Sequence, residues 1–413
     1  MDSAAASATI ADLIHSGADT LTRKPSAQRV APILRRNLCV VLLWCLLCVA
    51  AGCGRGAPHG PSLNVALALF PEEAHRYQHF AAQFEHRTGL HLRLVAQSYV
   101  DILHALHAEA GGGRGMLDLV ELDLSMLGEA RPQVRALDDL VTPAQRKLFP
   151  QAAWQTATAD NRLFFIPHRL MWQAMIYNRV EVPKPPATWD ELSAFVRDHP
   201  GKFALKGALY EGAVCDVMSF VWAAGGSERD PESPGSIAAL NFLDSLAPGL
   251  NPQSAVFREM SVLEAQARGQ VWLHFNWPFA MSYLAAKGLA PQIELSAPIP
   301  AGPHGTFSVL GGGYLAIPRS APHPQAAREF LRYLLTTSAQ TRLSRELGWY
   351  GSIAPPPGSE EARLYDGFSA MRDHVRARPP IAAYSALSNR WQRIIHEVLF
   401  DAVQPAAAVA QQR

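Results

Sequence analysis

Apolar residues fall in short runs of strand length that alternate with longer stretches at helical spacing. Residues 63–69 (LNVALAL) make the first strand-length run. In 71–87 the positions of Tyr77, Phe80, Ala81 and Phe84 repeat as one helix face, and Gly89 follows as a stop. Residues 91–96 (HLRLVA) alternate as a strand, 100–110 return to helical spacing through Ile102, Leu103 and Leu106, and 117–122 (LDLVEL) form a third strand candidate. Strand, helix, strand, helix, strand is the pattern of a parallel α/β unit, whose ligands sit beyond the carboxyl ends of the strands.

A second region starts near Pro167. Residues 171–177 read as one buried strand, and 178–186 as a turn-rich connection. Thr188 to Glu191 has the spacing of a capping box and opens a helix through Phe195. Helix candidates follow at 214–224, stopped by Gly225 and Gly226, and at 237–246. A strand at 271–275 runs into Asn276, Trp277 and Pro278, the stretch 307–317 reads as a strand containing Gly311, Gly312 and Gly313, and 326–335 is a periodic helix.

The first fifty residues follow a different pattern. Arg35 and Arg36 precede an apolar stretch, 38–51, of 14 residues, followed by Gly52 and Cys53. A bilayer span takes about 20 residues, so this is short for a membrane helix and fits a secretory signal. The tail Ala50-Ala51-Gly52-Cys53 resembles the lipobox of bacterial lipoproteins, which makes Cys53 a candidate lipid attachment point. A short buried helix or a single anchor is the other reading. The 34 residues before the signal are rich in Ala and Ser and lack periodicity, as a translation start near Val30 or Leu34 would explain. Residues 54–62, with three Gly and two Pro, read as a tether.

Composition changes this picture little. The 413 residues are 48% hydrophobic and 18% charged, which excludes gross disorder, and 37 Lys and Arg against 36 Asp and Glu exclude a diffuse basic field for nucleic acid. Four of the five cysteines lie at 39, 45, 48 and 53, which leaves Cys215 alone in the body and no disulfide framework there.

The order of several short blocks resembles the extracellular solute-binding proteins of ABC importers, in the group with maltose- and trehalose-binding proteins. They are Leu117 to Asp123, Leu137 to Leu140, Phe165 to Pro167 with Ile176 to Arg179, Pro186 to Leu192, Gly225-Gly226, Asn276-Trp277, Val309 to Pro318 with Pro324, Ala326, Ala327, Phe330 and Leu331, and Arg378 to Pro380 with Tyr384-Ser385. The resemblance implies an α/β fold of the type II periplasmic-binding kind, with two discontinuous lobes joined by hinge strands. The crossings are expected near 167–172, 296–302 and 349–356, giving one lobe from 63–168 plus 302–349, the other from 172–297 plus 356–403, and a tail at 404–413. It also implies a monomer in the periplasm or cell envelope, anchored through Cys53, with no cofactor, that captures a carbohydrate and hands it to permease subunits.

A sugar presents polar edges and apolar faces, so its site combines an aromatic platform with carboxylates, amides or Arg. Trp277 stands where the family carries a cleft tryptophan; a core Trp packed on its strand is the alternative. Asp123 ends the third strand and Glu121 is its same-face neighbour, and Asp123 alternatively caps the next helix. Tyr210 and Glu211 correspond loosely to cleft residues. Gly311 and Gly312 let the backbone approach ligand or hinge, or mark a strand bulge. Tyr314 is an aromatic neighbour or a packed strand residue, and Trp172 is a ligand or hinge residue. Relatives often carry Trp where Gly313 stands and an aromatic where Met126 stands, so the pocket departs from the maltose pattern.

Catalytic chemistry finds little support. His75 and His79 are spaced i, i+4, but the stripe of Tyr77, Phe80 and Phe84 turns them to solvent, and no metal site is expected. There is no Gly-x-Ser-x-Gly, His-Glu-x-x-His or phosphate-loop pattern. A receptor that is not an enzyme is therefore expected. The alternatives are the same fold holding a non-sugar solute, or an envelope enzyme acting on glycans through Glu121 and Asp123, an unfavourable pairing for carboxylates that must flank a bond.

Overall fold

The computed structural model describes residues 62–112, 115–288 and 294–412. The signal, Cys53 and the tether through residue 61 lie outside these residues. Along the described chain the strands are β1 (Ser62–Leu67), β2 (His91–Ala96), β3 (Leu119–Asp123), β4 (Thr158–Ala159), β5 (Arg162–Leu163), β6 (Ile166–Trp172), β7 (Ala174–Asn178), β8 (Phe203–Ala204), β9 (Leu273–Asn276), β10 (Glu294–Ala297), β11 (Ser308–Ala316) and β12 (Val375–Arg376).

They form two main sheets. The first has the order β12-β11-β3-β1-β2, with β6 also on β11; the second is β10-β7-β9-β8. Within the first, β1 pairs in parallel with β2, Val65 opposite Leu94, and with β3, Val65 opposite Leu119. Parallel neighbours require crossovers, and the helices Pro71–Thr88 and Tyr99–Ala110 supply them. The first helix starts with Pro71 and two acidic residues, Glu72 and Glu73, against its positive end, and buries Tyr77, Phe80, Ala81 and Phe84. It stops where Gly89 adopts φ 72° and donates to the carbonyl of Glu85. Each large apolar side chain buried this way contributes about 1.5–3 kcal/mol.

The second lobe is built round the helix Glu211–Ala223, buried on every side from Gly212 to Ala223 and covered by the helices Pro234–Leu246 and Tyr384–Phe400. The helix Trp189–Asp198 opens as its sequence predicts, with Thr188 Oγ1 accepting from the Glu191 amide, although the Glu191 carboxylate reaches the Ala187 amide instead of closing the box on Thr188.

Two expectations need correction. The run 171–177 is not one strand: β6 ends at Trp172 in the first sheet and β7 begins at Ala174 in the second, so Gln173 alone carries the chain between lobes. Periodicity could not reveal this, because both strands are buried and apolar residues flank the single polar Gln173 at the junction. The residues after 403 are not a bare tail either. They contain the helix Pro405–Gln411, which buries Pro405, Ala408 and Val409 against Pro234–Leu246 and Tyr384–Phe400.

The chain passes between the lobes again from β10 to β11, and once more between the helix Thr337–Leu347, packed on Pro71–Thr88, and the helix Asp366–Met371, packed on β10. It then returns to lay β12 beside Ser308 and Val309 at the foot of β11.

Candidate functional site

Strands β1, β2 and β3 run parallel, and the side chains at their carboxyl ends and on the crossing strands form the candidate site. Asp123 closes β3. Its Oδ1 accepts from the Ser125 amide at 2.9 Å and from Ser125 Oγ at 2.6 Å, so it does cap the turn that follows. The same carboxylate lies 3.8 Å from Arg378 Nη2. Arg378, 3% exposed, pairs through Nη1 with Glu211 of the second lobe. Glu211 opens the helix Glu211–Ala223 and also accepts from the hydroxyls of Tyr384 and Ser388. One guanidinium thus stands between a carboxylate of each lobe. Tyr210, next to Glu211, lies under the Arg258 guanidinium at 4.5 Å. Cys215 is close behind, with burial pushing its thiol above the ordinary value, which makes it an inert core group.

Trp277 follows β9 and is 8% exposed. Its indole packs against Gly311 in β11: a methyl group at 311 would come within 2.8 Å of the six-membered ring. Gly312 has φ 110° and backs onto the carbonyl of Arg169, and the register shifts between Gly313 and Tyr314, so the glycine run does contain a bulge. Gly313 leaves room for the Glu121 side chain.

Two expected ligand contacts are displaced into the interior. Tyr314 is fully buried and donates to the carbonyl of Ala153 at 3.3 Å. Glu121 is fully buried as well: it accepts from the Ala68 amide at 2.9 Å, and His168 Nδ1 lies 2.8 Å away, with His168 Nε2 in turn 2.9 Å from the Tyr77 hydroxyl. Burial alone would raise the Glu121 pKa, but the Arg169 charge and the bond from His168 outweigh it and hold the carboxyl below its usual value. Trp172 is buried too, its indole N–H donating to the Phe368 carbonyl at 2.6 Å, a hinge contact.

Two arginines escaped the sequence reading. Arg378 sits in the quoted Arg-Pro-Pro segment but carries no local sign of its role. Arg169 is buried at the ends of β1 and β2, with Nη1 3.0 Å from Glu73 and Nη2 donating to the Ala68 carbonyl and the Tyr99 hydroxyl, and its guanidinium 5.4 Å from the Trp349 ring. Among the described residues no group of three His, Cys, Asp or Glu is placed to hold a metal ion.

The family model described as bacterial extracellular solute-binding protein matches residues 79–369 of the chain, most of both lobes. The chain belongs to this family. The solute-binding protein is 25% identical over 366 residues to a probable ABC transporter-binding protein of Deinococcus radiodurans, covering 78% of this chain and 85% of that relative. Its fold is that of the cyclic alpha-maltosyl-1,6-maltose binding protein of Arthrobacter globiformis, with TM-score 0.75, 19% identity and coverage of 86% and 97% of the two chains. An ABC transporter solute-binding protein of Thermotoga lettingae, solved with alpha-D-tagatose, superposes with TM-score 0.69 at 21% identity, covering 86% and 98%. The two-lobed solute-binding fold, discontinuous in sequence, is therefore the architecture of this protein.

Proposed function

We propose that the protein is the substrate-binding component of an ABC importer and captures a carbohydrate or polyol between its lobes. The observation that carries this reading is that an aromatic ring and a set of hydrogen-bonding charges both stand where the lobes join: the Trp277 indole against Gly311, and Arg378 between Asp123 and Glu211. Such a site offers a stacking surface for a sugar's apolar face and charged partners for its hydroxyls. The sugars named for its structural neighbours fit the same class. Asp123, Tyr210, Glu211, Trp277, Gly311 and Gly312 are the contacts we assign to the solute, Trp172 acts at the hinge, and Arg378 is added.

The lobes close over the solute by rotation at the crossings, and solute contacts to both lobes supply the difference in affinity between open and closed forms. The protein works as a monomer on the envelope side of the membrane, tethered through a lipid on Cys53, and delivers the solute to permease subunits without altering it.

Isothermal titration with tagatose, ribitol, maltose and longer maltodextrins tests the reading. Saturable heat without product is expected from at least one, and Trp277→Ala lowers that affinity about 30-fold, the worth of about 2 kcal/mol for one well-packed aromatic contact. Turnover of any of these compounds would convert the assignment to an enzyme, and unchanged affinity in the Trp277 variant would remove the platform.

A further inference from the structure

A separate cavity of about 140 Å³ opens at the hinge. Its walls come from the end of β6 (Trp172), the turn after β9 (Pro278), the third passage between lobes (Tyr350) and the helix Asp366–Met371 with its flanks (Tyr365, Phe368, Arg372). An apolar cavity of about 150 Å³ holds one benzene ring, so this one has the size for a single ring.

Its polar equipment is unusual. Burial opposes the charge of Arg372 and pulls its pKa down, with Asp373 acting the other way. The guanidinium donates to two neutral acceptors, the carbonyls of Gly351 at 3.3 Å and Leu148 at 3.0 Å. Among the described residues no carboxylate lies within ion-pair distance of Arg372, in contrast to Arg169, Arg342 and Arg378, which all have one. Two of its five N–H groups are thereby used, and its charge forms no ion pair, with Asp373 acting on it only from beyond that distance. The phenols facing it bring no negative charge: burial pushes Tyr365 up to about 12 and raises Tyr350. An aromatic slot with one cation in its wall that forms no ion pair selects a flat apolar body that carries an anion.

We infer that this hinge cavity is a second ligand site, for a small aromatic carboxylate of one ring, in which the ring stacks among Trp172, Tyr350, Tyr365 and Phe368 and the carboxylate meets Arg372. The inference does not depend on which solute the cleft takes.

The test uses the whole protein and two probes of one shape, benzoate and its neutral counterpart benzamide, read by tryptophan fluorescence and calorimetry. Benzoate should bind saturably and at least about tenfold more tightly than benzamide, the worth of a charge-assisted bond. Arg372→Gln should abolish that preference. Ser369→Trp, a change at an exposed position on the cavity rim, should weaken both probes while leaving circular dichroism unchanged. Absence of saturable benzoate binding, equal affinity for the two probes in the unaltered protein, or unchanged benzoate affinity in a folded Ser369 variant would each overturn the assignment.

Discussion

Each lobe holds a fully buried carboxylate with a displaced pKa, and the two are displaced in opposite directions. Glu121 in the first lobe is held below its ordinary value, whereas Asp216 in the second is raised. Both have several donors. Asp216 accepts from Lys206 Nζ, from the Lys206 amide at 2.9 Å and from Gln173 Nε2 at 2.9 Å. The contrast lies in the balance of burial against charge. For Asp216 burial outweighs one equally buried ammonium, which also serves the Phe275 carbonyl at 2.7 Å. For Glu121 a delocalised guanidinium and an imidazole bond win. The first lobe therefore holds a settled anion beneath its strand ends, and the second holds a costly pair tied by Gln173 to the pivot of the hinge. Ser308 Oγ, at the foot of a second crossing strand, donates to the Gln173 carbonyl at 2.7 Å, so two of the three crossings share this anchor.

The largest effect should come from breaking the second-lobe pair. Asp216→Ala leaves a buried ammonium uncompensated and is expected to cost about 3–5 kcal/mol in urea unfolding, while Lys206→Met with Asp216→Leu recovers most of the loss. If the single variant cost less than Glu121→Gln, the ranking of the lobes would be inverted. Glu121→Gln should cost about 1.5–3 kcal/mol, because Arg169 keeps Glu73 as a partner.

The same variant sharpens the comparison in pH. With its folded pKa depressed, Glu121 contributes stability that is present above the ordinary carboxylate range and lost as pH falls through the folded value, so the Gln variant has a shallower acid limb. Gly311→Ala, at the contact between lobes, should cost about 1–3 kcal/mol as the indole is displaced, measured by the same unfolding. At neutral pH the smallest change is expected at His274, which burial keeps neutral with a pKa lowered to about 3. The unfolded chain binds a proton there near pH 6.5 and the folded one does not, so stability falls as pH drops from about 6.5 toward 3, and His274→Gln removes that slope.

These contrasts also mark what could be read from residues alone. The strands and helices of the first lobe were legible because each apolar run ends at a stop such as Gly89, and the end of β3 placed Asp123 by position. Tyr314 and Glu121 were misplaced because strand alternation gives a face but does not say whether a helix or a cleft covers it. Arg378 meets Glu211 across 167 positions, and Arg169 meets Glu73 across 96. Nothing local marks such pairs, since each becomes visible only when distant segments are brought together. The split at Gln173 was hidden because the strands on both sides of it are buried, and its partner Asp216 lies 43 residues on.

The indole of Trp277 and the bare backbone of Gly311 come from opposite lobes, yet each is shaped by the other. The two halves of the gene are thus written in a shared code. A chimera that took its second lobe from a relative with a smaller residue at 277 would inherit a hole beside 311, and one that took β11 with a side chain at 311 would inherit a collision. Exchange of lobes among relatives should succeed only when these two positions travel together.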